Sequence, residues 1–363
     1  MRKFCLFVTL LCLLPLHAST PEQAEAVRER YEKSLELWNL KVERATTAEE
    51  RQAVGEQPDP RKAAGRMWKV LSADLNEAWT LEYLGWFLRG AANLMSPDQN
   101  GVPQPIFSRE ITRTLDAIEK HHLQSPNLSP VCMGLMAVGD QKATELLNKI
   151  EQTNPHDKVT GVAALGLAML GRQAGDDPAV MKRRLDMLRK AIINSADIEI
   201  NGVKVADLVK EELYIIHNLT KGVTPPVLKG EDSGGRPMSL DSYKGKVIVL
   251  VFWNSGTDGG ESVLSWIRAL RQDERFTGKP FEVVSVNTDP RATLRQLQAD
   301  GEVDWPTFSD PKNTLSNEYR VSVWPMTFVI GKDGKLEYSG TTGTFAELTA
   351  SALLEKPVPT TGE

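Results

Sequence analysis

Cysteine is the most reactive side chain that the sequence offers, and the chain has three: Cys5, Cys12 and Cys132. A thiolate can attack a disulfide bond or bind a soft metal ion. Cys5 and Cys12 lie in residues 1–18, where a positive start, a short apolar run and small residues predict a secretory signal peptide cleaved after Ala18. Cleavage leaves Cys132 alone, so the mature chain cannot form an internal disulfide bond.

The surroundings of Cys132 suggest a second chemistry and a structural alternative. Met133 follows it and Met136 lies one helical turn further on, so these side chains could form a soft copper site. The flanking residues are apolar, however, and favour a core helix with a buried free thiol. His121 and His122 are adjacent and would point in different directions on a helix. We therefore predict no metal site and no cofactor.

Composition and charge exclude several classes of protein. The chain has 363 residues, of which 41% are hydrophobic and 25% charged, so it is typical of a globular protein with two domains. A net charge of −5 argues against a nucleic-acid-binding protein. The apolar run in residues 1–18 is too short to cross a bilayer as a helix. We therefore predict a bacterial protein that is exported to the periplasm or secreted, with no membrane span after signal cleavage and no nucleic-acid partner.

Residues 19–221 have the pattern of an all-helical domain. Thr20-Pro21-Glu22-Gln23 predicts a helix start with a capping box, and Asp59-Pro60 predicts another helix start. Apolar residues then recur at spacings of four and three, as on one face of a helix. These stripes comprise Tyr31, Leu35, Trp38 and Val42; Met181, Leu185, Leu188 and Ile192; and Val205, Val209, Leu213 and Ile216.

The pattern changes after Gly222-Val223-Thr224-Pro225-Pro226, which has the composition of a linker. Residues 247–252 are all apolar, as in a strand buried on both faces of a parallel sheet. Further predicted elements are helices over 260–276, 290–299, 311–319 and 345–354 and strands over 281–286, 327–330 and 336–339. Asp333-Gly334 predicts a hairpin turn between the last two strands. Residues 222–363 thus predict a mixed sheet flanked by helices.

A series of short motifs marks this C-terminal part. Gly245-Lys246 precedes its first core strand, Phe252-Trp253 ends that strand, and Asp333-Gly334-Lys335 closes the hairpin. Val321–Phe328 includes Trp324-Pro325. In this order the motifs resemble the thioredoxin superfamily, in particular its secreted thiol–disulfide oxidoreductase and redoxin branch. The resemblance implies an N-terminal all-helical domain followed by a thioredoxin-like fold, with Pro325 in the cis-proline segment.

The position that carries the chemistry in that superfamily differs here. Its members have Cys-x-x-Cys in the turn after the Phe-Trp strand end, and the resemblance places Thr257 and Gly260 at the two cysteine positions. The whole turn is Gly256-Thr257-Asp258-Gly259-Gly260. Because thiol–disulfide exchange needs a thiolate and a resolving sulfur, we predict a degenerate active site without a catalytic residue. The turn serves as a helix entry alone or holds an anion at the helix N-terminus.

Trp324-Pro325 is the candidate peptide-binding site that the resemblance implies. We predict a cis bond between these residues and a position beside the Thr257–Gly260 turn. In the superfamily the backbone of this segment pairs with an extended peptide, which is a form of strand addition. The alternative is that Pro325 serves the fold alone.

These patterns leave functions of different classes open. The first is an exported, redox-inactive module that binds an extended peptide or a protein partner, or acts as a scaffold. The second is a thiol–disulfide oxidoreductase or a redoxin-type antioxidant enzyme, which the missing cysteines disfavour. In a third, Cys132 supplies the sulfur from the helical domain. Replacing both Thr257 and Gly260 by cysteine is expected to create a dithiol in the turn.

Overall fold

The computed structural model describes residues 19–45, 50, 53–99, 101–175, 177–200, 202–256 and 260–356. The predicted signal peptide, residues 1–18, lies outside the described residues, as do Thr257, Asp258 and Gly259. The chain divides into two compact units, with the boundary between Val209 and Lys210. No helix in the described part of the chain is long and apolar enough to cross a membrane.

The first unit is helical. Its helices are α1 (Pro21–Arg44), α2 (Pro60–Leu71), α3 (Thr80–Ala92), α4 (Ser108–His121), α5 (Ser129–Val138), α6 (Gln141–Thr153), α7 (Asp157–Leu170) and α8 (Pro178–Ser195), and α9 (Val205–Asn218) crosses the boundary. Two short hairpins were not predicted, β1 (Met95–Pro97) with β2 (Pro103–Pro105) and β3 (Glu199–Ile200) with β4 (Val203–Lys204). Strands of two or three residues are too short to show an alternating pattern.

The predicted helix starts are confirmed by their caps. Thr20 forms the capping box with Gln23, and the Asp59 side chain accepts hydrogen bonds from the first turn of α2. The apolar stripe of α1 is buried less completely than that of α9, in which Val205, Val209 and Ile216 are buried. In α1 only Ala24 is buried and Val42 is exposed. The described contacts of α1 with α3 involve its first half, such as the ring contact of Tyr31 with Trp86.

The second unit contains a five-stranded mixed sheet in the order β11-β10-β7-β8-β9. Its elements are β5 (Lys229–Glu231), β6 (Pro237–Ser239), β7 (Val247–Trp253), α10 (Gly260–Gln272), β8 (Phe281–Asn287), α11 (Arg291–Ala299), β9 (Thr307–Ser309), α12 (Thr314–Glu318), β10 (Met326–Ile330), β11 (Leu336–Gly340) and α13 (Thr344–Glu355). Strands β7, β8 and β9 are parallel, while β10 runs antiparallel to both β7 and β11. The predicted mixed sheet flanked by helices is therefore present. Strand β9 was not predicted, because its three residues are too few to show a strand pattern.

Strand β7 is buried on both faces, as its uninterrupted apolar sequence predicts. Val247, Val249, Val251 and Trp253 pack in one core cluster together with residues of α10, α11 and α13. Ile248, Leu250 and Phe252 pack in the other cluster, together with residues of α12 and the chain before β5. The period of two along a strand produces this division.

The boundary between the units lies twelve residues before the predicted one at 221/222. Leu219 belongs to the second core cluster of the sheet, and Tyr214 and Ile215 pack against it. The Tyr214 hydroxyl also donates a 3.0 Å hydrogen bond to the carbonyl of Glu318. The end of α9 thus belongs to the second unit, although its apolar stripe continues from the first.

Candidate functional site

The turn after β7 connects the end of a parallel strand with the first residue of a helix. Asn254, Ser255 and Gly256 follow β7 directly, and Gly260 begins α10. Thr257, Asp258 and Gly259, which the sequence analysis assigned to the degenerate active site, lie outside the described residues. The structure therefore shows the two flanks of the predicted turn. Such a position, at the carboxyl end of a parallel sheet, is where α/β proteins place their ligand sites.

A carboxylate from the loop after the neighbouring strand β8 holds the first flank of this turn. Asp289, which is buried, accepts hydrogen bonds from the backbone N–H of Ser255 at 3.0 and 3.2 Å. Its carboxylate also accepts a hydrogen bond from the Asn287 side-chain amide at 2.8 Å, and its own N–H donates to Asn287 Oδ1 at 3.1 Å. This role has no local signal in the sequence, because the contact joins residues 34 positions apart.

The second flank, Gly260, lies in a space that admits no side chain. A Cβ atom added at Gly260 would lie 2.9 Å from the carbonyl oxygen of Asn254 and 3.3 Å from the Cα of Ser255. These are backbone atoms, so a cysteine at this position requires the strand end to move. At Gly256, of the described atoms, a Cβ would meet only Asn254 Oδ1, at 3.8 Å. The expectation that two substitutions restore a dithiol therefore meets a steric obstacle at Gly260.

The Trp324–Pro325 bond is cis, in agreement with the prediction. The next residue, Met326, is paired with Phe252, so Pro325 lies at the edge of the sheet where β7 ends. The structure thus brings Trp324 and Pro325 to the same edge of the sheet as Ser255 and Gly256. The predicted position of Trp324 and Pro325 beside Thr257 is not tested, because Thr257 lies outside the described residues.

The three residues before the proline have an unpaired backbone. Among the described residues, no N–H or C=O group of Ser322, Val323 or Trp324 takes part in a hydrogen bond. The Val323 side chain is 65% exposed, while Trp324 packs partly against the second core cluster. A segment that continues an antiparallel strand with free donors and acceptors can pair with another extended chain.

Two buried polar atoms near this edge have no partner in the described part of the chain. They are the indole Nε1 of Trp253 and the Oγ of Ser309. Both residues flank Asn287 in one row across the sheet, since Trp253 pairs with Asn287 and Asn287 with Ser309. This row was not predicted from the sequence, because strand β9 has no recognisable pattern of its own.

Cys132 lies in α5 of the first unit and is completely buried, as predicted. Burial in apolar surroundings raises the pKa of its thiol to about 12, because the thiolate would lose its hydration. His122 is also buried, and its ring nitrogen Nε2 lies 2.8 Å from the carbonyl oxygen of Leu75. Among the described residues, no three His, Cys, Asp or Glu side chains are grouped as metal ligands.

The C-terminal part of this chain has a thioredoxin-like fold, with the mixed sheet and flanking helices that the sequence predicts. More particularly, residues 222–339 match the AhpC/TSA family.

Curated proteins are similar in sequence to a part of this chain. Thiol-disulfide oxidoreductase ResA of Bacillus subtilis is 26% identical over 131 residues, which are 36% of this chain and 72% of that protein. ResA of Geobacillus thermodenitrificans is 27% identical over 117 residues, or 32% of this chain and 66% of that protein. The chloroplastic Peroxiredoxin Q of Sedum lineare is 30% identical over 108 residues, or 30% of this chain and 57% of that protein. The chain thus spans between about half and three quarters of the lengths of these relatives.

Solved structures are similar over the same share of the chain. The thioredoxin domain of a thiol-disulfide oxidoreductase from Bacteroides vulgatus is 22% identical, with a TM-score of 0.33, and the match covers 38% of this chain and 100% of that one. A secreted thiol-disulfide isomerase from Corynebacterium glutamicum is 19% identical, with a TM-score of 0.34, and the match covers 36% of this chain and 85% of that one.

Proposed function

We propose that this chain is an exported binding module whose thioredoxin-like domain has no redox activity and receives an extended peptide beside Pro325. The observation that carries the proposal is the backbone of Ser322, Val323 and Trp324, which has no hydrogen bond to any described residue, together with the exposure of Ser322 and Val323. This segment continues β10 at the end of the sheet where β7 stops. An added strand would satisfy its donors and acceptors without any change in the sheet.

The absence of redox activity follows from a count of sulfur nucleophiles. Residues 133–363 contain no cysteine, and the two positions that carry cysteine in the superfamily are Thr257 and Gly260. A threonine hydroxyl stays protonated at neutral pH, and glycine has no side chain. Cys132 is completely buried and its pKa is raised, so its thiolate is scarce under physiological conditions. Exchange of disulfide bonds therefore has no nucleophile in the turn.

A second candidate function is that of a thiol–disulfide oxidoreductase, which the similarity to ResA favours. It requires Cys132 to act, because the predicted mature chain has no other sulfur nucleophile. Reduction of insulin by dithiothreitol distinguishes the two candidates. We expect the wild-type protein to leave the rate unchanged, and acceleration that is lost in Cys132→Ser would establish the oxidoreductase instead.

Peptide binding is tested with ten-residue peptides selected from a random displayed library on the wild-type protein. Val323→Pro removes one backbone N–H from the unpaired segment, and the exposed position of Val323 leaves room for the ring. Val323→Thr is the matched control, because it keeps the N–H and the branched shape. We expect Val323→Pro to weaken binding about tenfold or more, as the loss of a backbone hydrogen bond in an added strand requires.

The threonine variant is expected to bind within about threefold of the wild type. Equal affinities for the proline and threonine variants, with unchanged melting temperatures, would show that the peptide does not pair with this segment. Failure to select any peptide would also contradict the proposal.

A further inference from the structure

A cavity of about 310 Å³ lies in the second unit, at the end of the sheet opposite to Pro325. It opens where β7 begins and β10 ends, since Ile248 and Ile330 are paired there and both line it. Leu240 and Pro226 provide further apolar walls. The volume is at the lower end of the range of small-molecule sites. The short 3-10 helix Leu240–Tyr243 also contributes to the wall of the cavity.

Hydrogen bonds fix the loop that forms the outer wall. The N–H of Gly222 donates to Leu336 O at 2.6 Å, and the N–H of Leu336 donates to Val223 O at 2.8 Å. The Tyr319 hydroxyl donates to the carbonyl of Pro226 at 2.7 Å. The two prolines in this loop restrict its backbone further. The cavity is therefore largely formed before a ligand arrives, which lowers the entropy lost on binding.

The lining of the cavity includes charged residues of both signs. They are three lysines and two aspartates: Lys244, Lys246, Lys332, Asp241 and Asp333. Lys244 pairs with Asp241 at 2.7 Å, and Lys246 pairs with Glu282 at 2.9 Å.

Lys332 differs from the other two lysines in its partners. Its ammonium donates hydrogen bonds to the backbone carbonyls of Leu354 and Lys356, at 3.1 and 2.6 Å, and it pairs with no carboxylate among the described residues. Of the three lysines in the lining, Lys332 is thus the one without a carboxylate partner in the described part of the chain.

A phenol completes the lining. Tyr243 lies on the wall of the cavity, and its hydroxyl has no hydrogen-bond partner in the described part of the chain. Desolvation raises the pKa of this phenol, and the carboxylate of Glu282 acts in the same direction. The hydroxyl therefore remains a neutral donor that can bind an oxygen acceptor.

We propose that this cavity binds a small molecule with an apolar body and a single carboxylate group. The body lies against Leu240, Ile248 and Ile330, and the carboxylate lies near Lys332 with the Tyr243 hydroxyl as a further donor. This site is separate from the peptide-binding segment, and the proposal does not depend on it.

Three probes with the same eight-carbon chain test the proposal: octanoate, octan-1-ol and octylamine. Each is titrated into the full chain by calorimetry, and methyl resonances of Leu240, Ile248 and Ile330 locate the bound molecule. We expect octanoate to bind about tenfold more tightly than octan-1-ol, as one charge-assisted hydrogen bond requires. We expect octylamine to bind more weakly than the alcohol.

Two variants connect the binding to this cavity. Val227→Trp fills the entrance and should abolish binding, whereas Val203→Trp, at a valine of similar exposure in the first unit, should not change it. Lys332→Met should remove the preference for octanoate over octan-1-ol. Equal affinities for the three probes in the wild type would overturn the proposal, as would the absence of binding or unchanged binding in Val227→Trp.

Discussion

Gly260 is the more crowded of the two described glycines that flank the turn after β7. Its Cα lies so close to the strand end that an added Cβ would be 2.9 Å from the carbonyl oxygen of Asn254. We expect Gly260→Ala to lower the free energy of unfolding by about 1–3 kcal/mol, because backbone atoms must move to admit the methyl group. Urea denaturation measures this change.

Gly256→Ala is the control, since it lies in the same turn and, of the described atoms, its Cβ would meet only a side-chain oxygen at 3.8 Å. We expect it to change the stability by less than about 0.5 kcal/mol. Similar losses for Gly256→Ala and Gly260→Ala would mean that the close approach at Gly260 does not constrain the turn.

Cys132 is expected to be inert towards thiol reagents in the folded protein. A pKa of about 12, against an ordinary 9.0, means about a thousandfold less thiolate at pH 8, and complete burial blocks access as well. Labelling with Ellman's reagent should therefore be at least about a thousandfold slower in buffer than in 6 M guanidinium chloride. Because the raised pKa favours the neutral thiol, the chemical step should become faster as pH rises towards 12.

Rapid labelling of the native protein at pH 8 would contradict this expectation. It would also revive the hypothesis that Cys132 supplies the missing sulfur. The variant Cys132→Ser provides the blank for the measurement.

At the scale of the elements, the loop after β8 positions the loop after β7. Asp289 accepts hydrogen bonds from the Ser255 N–H and from the Asn287 amide. Asp289→Ala leaves both donors without an acceptor, and we expect a loss of about 1–3 kcal/mol in the free energy of unfolding. Hydrogen exchange at Ser255 should become faster.

Asp289→Asn is the matched control, because it keeps the size of the side chain and one acceptor oxygen. Asp289→Asn should lose less stability than Asp289→Ala. Hydrogen exchange at the Ser255 N–H should also be slower in Asp289→Asn than in Asp289→Ala. The same exchange rate in both variants would show that Asp289 does not hold this flank.

The order of elements could be predicted because each has a local signal. The apolar run 247–252 predicts β7, and Asp333-Gly334 predicts the hairpin of β10 and β11, both of which are confirmed. The bond from Ser255 to Asp289 and the crowding at Gly260 join residues that are near only after folding. The sequence shows which residue types lie in the candidate site. The geometry of the site depends on these long-range contacts and could not be predicted.

At the scale of the whole molecule, the end of α9 determines where the second unit begins. Leu219 is buried in its core, and Tyr214 contacts Arg320 and the carbonyl of Glu318. A fragment of residues 210–363 is expected to unfold cooperatively. A fragment of 222–363 should be less stable by more than about 3 kcal/mol, because the apolar contacts of Tyr214, Ile215 and Leu219 are missing.

Chemical denaturation of the two fragments, followed by circular dichroism, measures this difference. A fragment of 210–363 with Leu219→Ala is the intermediate control and should lie between the two. Equal stabilities of the two fragments would place the boundary at 221/222, as the sequence pattern predicts.

The contact of Gly222 and Val223 with strand β11 also has a consequence for solubility. Strand β11 is at the edge of the sheet, and the backbone of Leu336 exchanges hydrogen bonds with Gly222 and Val223 on the side away from β10. This contact occupies donors and acceptors that would otherwise be available to a strand of another molecule. Proteolytic cleavage after Val223 would weaken this cover without removing any residue of the sheet. The cleaved protein would then be prone to associate through its open edge.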